Sequence, residues 1–431
     1  MKFDIEMLLK SDARIVASTF VGISLLFIIV AMILGLDFNG TVNTIQRIMF
    51  LSAVYAMVVL ALNLQWGYAG MFNIGVAGFM LSGVYTMAII TGDPNGIIPG
   101  LGLPIPIGII GGVLVASLLG LLISIPTLKL KADYLAIVTI GFAEIIRYAA
   151  NALTFKTFSI AGVEMGTGAG RGIHLPMNPI RNLYYTDPSN LGLGKTVFGQ
   201  YVFGFFEIIQ VQSSVVVSWT YAIVLIFVVG LFYLIIYRIG NSPFGRVLKA
   251  IREDEIVANA LGKNTDIYKM KVFAIGCGLM GLAGILWQGS YGYTNPTTFQ
   301  PILTFYIFIA LIIGGSGSNT GSIIGGVVFA SLLFEGPNFI RRVIMHVFKF
   351  DKAPNSIIEA IIPISSFDLG PFVAYSLANI SSLRVVFLGL VLVYIIQNRP
   401  EGLLGYRKEL AASIDISRRP GAEVKRGKRH E

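Results

Sequence analysis

The chain is poor in charge, in cysteine and in histidine. Only 13% of its 431 residues are charged, 55% are hydrophobic, and the mean hydropathy is +0.76. Soluble domains carry about 25% charged residues, so half of the usual polar surface is absent. Water does not keep such a folded chain dispersed, whereas a bilayer does, because lipid surrounds its apolar faces. The single cysteine, Cys277, excludes an intramolecular disulfide and a cysteine-cluster metal site. The three histidines, His174, His346 and His430, include no pair at metal-ligand spacing. Neither Gly-x-Ser-x-Gly nor His-Glu-x-x-His occurs. Gly194-Lys195-Thr196 imitates the end of a phosphate-binding loop, but Ser189 stands where its first glycine belongs. No enzyme activity, cofactor or metal is therefore expected. The first apolar run, Val16–Leu36, lacks a following small-residue cleavage site, so it reads as a span rather than a signal peptide.

What the chain does have is apolar length. About 20 apolar residues, rising 1.5 Å each, cross a hydrocarbon core of about 30 Å. Charge-free candidates are Val16–Leu36, Met49–Leu64, Gly70–Ile90, Ile105–Ile125, Trp219–Ile236 and Val272–Tyr291. Tyr134–Leu153 qualifies while carrying Glu144 and Arg147, and the later runs Thr298–Gly315, Ser318–Phe334 and Arg384–Ile396 are weaker. The middle two of those are joined by Gly314-Gly315-Ser316-Gly317-Ser318, as two full spans or a re-entrant pair. The expected fold is an all-α polytopic transmembrane bundle of about 8–10 spanning helices.

Basic residues orient it. With the N-terminus inside, the inner segments are 1–15, 126–133, 238–271 and 398–431. They hold 3, 2, 7 and 9 Lys or Arg, which is 21 of the 32 in the chain. Cytoplasmic loops collect such residues, so both termini are expected in the cytoplasm. The same rule accounts for the net charge of +9 without nucleic acid, for which no recognition motif is present. The expected organisation is a cytoplasmic N-terminus 1–15, a membrane domain 16–405 and a basic, disordered tail 406–431 that can rest on anionic lipid. Two large outer loops, 154–218 and 335–383, exceed ordinary helix connections.

The inner loop 238–271 differs from the others in mixing charge with helical periodicity. Phe244, Val247, Leu248, Ile251, Ile256, Ala260 and Leu261 recur at roughly helical spacing. Pro243 suits a first turn, and Gly262 suits a C-cap before a second short helix. Such an amphipathic hairpin docks into a groove on a soluble partner or lies on lipid. Glu253-Asp254-Glu255 disfavours anionic lipid, because carboxylates are repelled there.

The run Ser242-Pro243-Phe244-Gly245-Arg246, then Ala250 to Glu255, Ala258 and Leu261-Gly262, resembles the coupling loop of LivM-type branched-chain amino acid ABC permeases. In the same order, Leu62-Asn63 with Gly67-Tyr68-Ala69-Gly70 is similar to that family's second-helix signature. Asp133 to Thr139, with Gly141-Phe142 and Glu144 to Arg147, resembles its mid-chain helix. Gly314 to Ser318 and Arg399-Pro400-Glu401-Gly402-Leu403-Leu404 resemble its late turn and the end of its core. The resemblance covers roughly 45–405, although the Ile-x-Leu-Pro element of the general permease loop is absent.

The resemblance implies a prokaryotic plasma-membrane importer. Its parts are a second, homologous permease, two cytoplasmic ABC ATPases and an extracytoplasmic binding protein. It makes Arg252, Glu253, Asp254, Glu255, Ala258, Leu261 and Gly262 the elements that meet the ATPase. Related permeases carry urea or short amides, and a gradient-driven transporter of small organic solutes is the other alternative. That alternative calls for inverted repeats and several buried acids, of which one in-span carboxylate and no repeat are legible. Glu144 and Arg147, three apart, either pair across a turn or line the path. Asn73, in a span rich in glycine, sits at a close helix contact or touches the solute.

Overall fold

The computed structural model describes residues 2–127, 132–187, 194–348, 354–366, 368–399 and 401–404. Part of the inner segment 126–133, Ser189, Pro400 and the whole tail 406–431 lie outside them. The described residues are overwhelmingly helical, and six helices are long and apolar enough to cross a membrane. In chain order α1 is Lys2–Ile33, α2 Phe38–Ala69, α3 Val76–Thr91, α4 Ile105–Thr127 and α5 Ala132–Asn151. Two short hairpin strands, β1 (Phe158–Ile160) and β2 (Val163–Met165), follow, with β3 (Ile173–His174) and the helices α6 (Arg181–Tyr184) and α7 (Val197–Ile208). Then come α8 (Ser213–Asn241), α9 (Pro243–Glu253), α10 (Glu255–Ala260), α11 (Thr265–Gln288) and β4 (Tyr293–Thr294). The last third holds α12 (Pro301–Gly314), α13 (Asn319–Val328), α14 (Gly336–Phe348), α15 (Ile357–Ile361), α16 (Gly370–Ala378) and α17 (Ile380–Asn398).

Helix α2 is the axis of the bundle. Its middle, Ala56–Leu62, is apolar on every side, as a helix walled in by other helices must be. It packs on α8, α11 and α13, and Met57, Val59, Leu60, Leu62 and Leu64 are fully buried. Beside it α3, α4 and α11 approach backbone to backbone. A Cβ on Gly83 would lie 2.6 Å from the Cα of Gly281, and one on Gly78 would lie 2.6 Å from the Cα of Ala143. Small residues permit this approach, which replaces the hydrophobic drive that lipid cannot supply between spanning helices. By contrast α1 is largely uncovered, touching the bundle through Phe27, whose ring meets Phe339 edge-on at 4.9 Å.

Several expectations are corrected. The expected span Gly70–Ile90 is broken: α2 runs to Ala69, residues 70–75 are not helical, and α3 begins at Val76. Gly70, at φ +70°, turns the chain, and Asn73 therefore sits in a break rather than within a helix. The described residues of segment 1–15 are helical and continuous with α1. Segment 335–383 is not one long loop. Helix α13 continues through a π-helical stretch, Phe329–Glu335, into α14, and α15 and α16 follow. Segment 154–218 likewise contains β1–β2, β3, α6 and α7. An arrangement that no sequence repeat announces also emerges. Both α2 and α11 are long helices followed by a break in the α-helix and then a short helix, α3 and α12, the second break holding β4 and a 3-10 turn at Pro296–Phe299. Gln65, near the end of α2, bonds Phe273 near the start of α11, so the two units run antiparallel.

Candidate coupling junction

The loop between α8 and α11 folds from local caps. Ser242 ends α8, and its Oγ accepts the N–H of Gly245 at 3.2 Å, with Pro243 in the first turn of α9. Helix α9 turns Leu248 and Ile251 inward, both buried. Asp254, extended at φ −157°, stops α9, and its carboxylate accepts from Ile256 N at 2.9 Å and Val257 N at 3.1 Å. An aspartate there satisfies N–H groups that a helix start leaves open. The second short helix is thus α10, ahead of Gly262, and not after it as expected. Gly262 itself takes φ +77°, and Asn264 caps α11 by accepting from Ile267 N at 3.3 Å.

The acidic triplet is engaged in local bonds. Glu253 accepts from Arg252 Nη2 at 2.7 Å, and Asp254 is spent on its cap. Glu255 pairs with Lys269 and receives the hydroxyl of Thr265 at 3.1 Å. These bonds brace α10 against the foot of α11. The outward chemistry of α10 is apolar instead: Ile256 and Leu261 are 80% and 73% exposed, while Ala258 is buried. Exposed aliphatic side chains thus project from a capped, braced helix as a knob.

Arg252 joins this knob to the bundle. Its Nη1 donates to the carbonyl of Gly67 at 2.6 Å, and its stem lies against Gly70, where an added Cβ would be 3.1 Å from Cγ. The same spot receives the late glycine turn. Asn63 Oδ1 accepts the N–H of Gly317 at 2.7 Å, and its amide donates to Asn319 Oδ1 at 3.1 Å, as does the hydroxyl of Tyr68. Leu403 N and Leu404 N donate to the carbonyls of Ile313 and Gly314 at 2.8 and 3.1 Å. Four motifs far apart in sequence, at 62–70, 250–262, 314–318 and 399–404, therefore meet at one end of the bundle.

The fifth motif meets the break before α3. Thr139 Oγ1 accepts from Ile74 N at 3.0 Å, and Asn73, fully buried, donates to Gln65 at 2.8 Å and accepts from Gly75 N at 2.8 Å. Gln65 in turn donates to the Phe273 carbonyl at 2.8 Å. The first turns of α3 and α12 also touch, Ala77 N donating to Thr304 Oγ1 at 3.1 Å. Glu144 and Arg147 do pair, at 2.8 and 2.6 Å, with the guanidinium 4.4 Å from the Tyr148 ring centre. They lie apart from the Arg252 junction, on a different helix.

Some polar residues were not singled out from sequence. Asn319 is half of the bond that closes the junction, and nothing in a Ser-Asn-Thr run marks it. Two buried carboxylates are present among the described residues besides the partly covered Glu144. Asp12 is buried and receives Thr320 Oγ1 at 2.9 Å, and Glu335 is buried at the end of the π stretch and pairs with Arg47 at 3.0 Å. Glu335 closes an apolar run and so reads as the start of a loop. Lys195 of the imitated phosphate loop stands 5.5 Å from the Phe203 ring centre, and Thr196 caps α7.

Gly262 gives a direct test of this local geometry. Nothing lies within 4 Å of a Cβ added there, so only its φ of +77° resists substitution. Gly262→Val should cost ~1 kcal/mol or more through left-handed strain, and Gly262→Asn should cost little. Thermal unfolding of the purified protein should rank the two in that order.

The family model described as "Branched-chain amino acid transport system / permease component" matches residues 44–341. The chain is 30% identical over 290 residues to the high-affinity branched-chain amino acid transport system permease protein LivM of Escherichia coli, covering 67% of this chain and 62% of that protein. It is 25% identical over 341 residues to the probable LivM of Methanocaldococcus jannaschii, covering 72% and 84% respectively. A shorter stretch of 90 residues, 21% of this chain and 29% of the other, is 37% identical to the permease protein LivH of Escherichia coli. The chain spans about three fifths of the length of the Escherichia coli and Salmonella typhimurium LivM proteins. No solved structure matches it. With six apolar helices of spanning length and prokaryotic relatives, it is a multi-pass protein of a prokaryotic plasma membrane. The chain belongs to the permease-component family of branched-chain amino acid transport systems.

Proposed function

We propose that this chain is a permease subunit of an ATP-binding-cassette importer for branched-chain amino acids, with α9–α10 taking up the stroke of a cytoplasmic ATPase. The observation that carries the reading is Arg252, which links the exposed knob of α10 to Gly67 at the end of the buried axis. A push on α10 then reaches α2 and the α12–α13 turn through hydrogen bonds rather than through a slack loop. In this reading the α9–α10 end and both termini face the cytoplasm, two ATPases dock there, and a homologous permease completes the path. A binding protein delivers solute at the far end. Asn73, which pins the break before α3, and the Glu144–Arg147 pair border the path. Short helices that begin inside a bundle are the places where transporters hold small ions and solutes, which supports placing the path beside α3 and α12.

A gradient-driven transporter is the second reading, favoured by Asp12, Glu144 and Glu335. Each of the three is engaged, by Thr320, Arg147 and Arg47 respectively, which favours a structural role for them. Reconstitution separates the readings. With both permeases, the ATPases and the binding protein in proteoliposomes, leucine uptake should require ATP and ignore ion gradients. Uptake driven by a proton or sodium gradient without the ATPases would defeat the proposal. Orientation is read in the same vesicles, since Cys277 is fully buried and leaves a silent background. Lys263→Cys and Glu164→Cys should react with impermeant maleimide from opposite sides, the former from the ATPase side. The reverse pattern would overturn the assigned sidedness.

A further inference from the structure

At the end of the bundle away from Arg252, a cavity of about 520 Å³ opens between the starts of α2 and α8, α6 with its flanking residues and the chain just past α11. Its walls are stitched together. Gln46 Nε2 donates to the Ser218 carbonyl at 3.1 Å, and the Trp219 indole donates to the Val42 carbonyl at 3.1 Å. Its floor is aromatic: Phe50 lies 6.2 Å from Tyr221 and 5.9 Å from Tyr291, ring centre to ring centre. Two guanidinium groups, Arg47 and Arg181, line it together with serine and amide side chains, and no Asp or Glu does. Arg47 is held from behind by the buried Glu335, which leaves most of its side chain exposed. Arg181 makes no ion pair or hydrogen bond through its side chain among the described residues, so its charge is unspent.

A rigid cavity with two cations, hydroxyls and an aromatic floor suits a small solute with a carboxylate at one end and an apolar body. We propose that this cavity is the first subsite in the permease for the transported amino acid. Arg181 and Arg47 receive the carboxylate, and Phe50 with Tyr221 meets the side chain. Guanidinium is the natural receiver, because its planar fork matches a carboxylate. The proposal rests on the transport reading above, but its test does not pass through transport.

The test uses a thiol on the cavity wall. Ser214→Cys places one there, and buried Cys277 stays silent. In the reconstituted complex without binding protein, an anionic methanethiosulfonate should react with it faster than a cationic one of similar size. Arg181→Gln should cut that ratio by on the order of threefold or more, as expected for a fixed charge within a Debye length. Millimolar leucine should slow the labelling, 4-methylpentanoate should slow it too, and 3-methylbutylamine, which lacks the carboxyl, should not. Arg181→Gln should remove the protection by leucine. Equal rates for the two reagents, protection by the amine, or protection only when binding protein is added would each overturn the subsite. The last outcome would make the cavity a receptor for a carboxylate of the docked protein. Protection by leucine in a complex that fails to transport it would leave the subsite standing and defeat the transport reading instead.

Discussion

Arg252→Ala is expected to uncouple the complex, with leucine uptake falling tenfold or more while the subunits still assemble. The side chain donates to the carbonyl of Gly67 at 2.6 Å. A hydrogen bond from a charged donor contributes about 1.5–3 kcal/mol, a factor of roughly 10–100 in any equilibrium that depends on it. The loss falls on the link between α9 and α2 and not on the core of either, so folding should survive. Arg252→Lys should recover part of the function, since an ammonium can reach one carbonyl but cannot also hold Glu253 in a fork. The measurement is leucine transported per ATP hydrolysed in proteoliposomes. An unchanged ratio in Arg252→Ala would place the coupling element elsewhere.

Gly83→Val is expected to act on the fold itself. A Cβ at this position meets Gly281 Cα at 2.6 Å and its carbonyl oxygen at 2.7 Å, and α4 closes from the other side at Gly112. Neither neighbour has a side chain that can swing away, so α3 must part from α11. Overpacking a close-packed site costs about 1–3 kcal/mol, and the upper end applies where backbone must move. The variant should lose most of its monodisperse peak in gel filtration and melt well below the parent. Gly141→Val is the control, because nothing lies within 4 Å of its added Cβ. Similar behaviour of the two would mean that the three helices are not in tight contact.

The long helices were legible because apolar length is a direct requirement of the bilayer, and α1, α4, α8 and α11 lie close to where the runs predict. The break at 70–75 was not, because Met71, Phe72 and Ile74 keep the run apolar straight through it. Only the positive φ at Gly70, the bonds of Asn73 to Gln65 and Gly75, and the bond of Ile74 N to the distant Thr139 betray it. At the candidate site, Pro243 and Gly262 were readable because each does one backbone task that few residues can do. Asp254 was hidden inside an acidic run, where a cap and a solvated charge look alike. Arg252 was named with its neighbours, but its target is a backbone carbonyl 185 residues away, and a carbonyl carries no sequence signal. Glu335 and Asp12 were missed because each sits at the margin of an apolar run, the position that ordinarily belongs to a loop.

The Asn63–Asn319 bond joins residues 256 apart. At about 5–20 residues per second, synthesis takes roughly 13–50 s to cover that interval. During that time α2, destined to be the most enclosed helix, has already entered the membrane with Asn63, Gln65 and Tyr68 awaiting their partners. The nascent bundle thus passes through that interval with this end of its axis unclosed. Chains that terminate before Asn319 cannot close this end, and pulse-chase labelling should find them degraded much faster than the full-length protein.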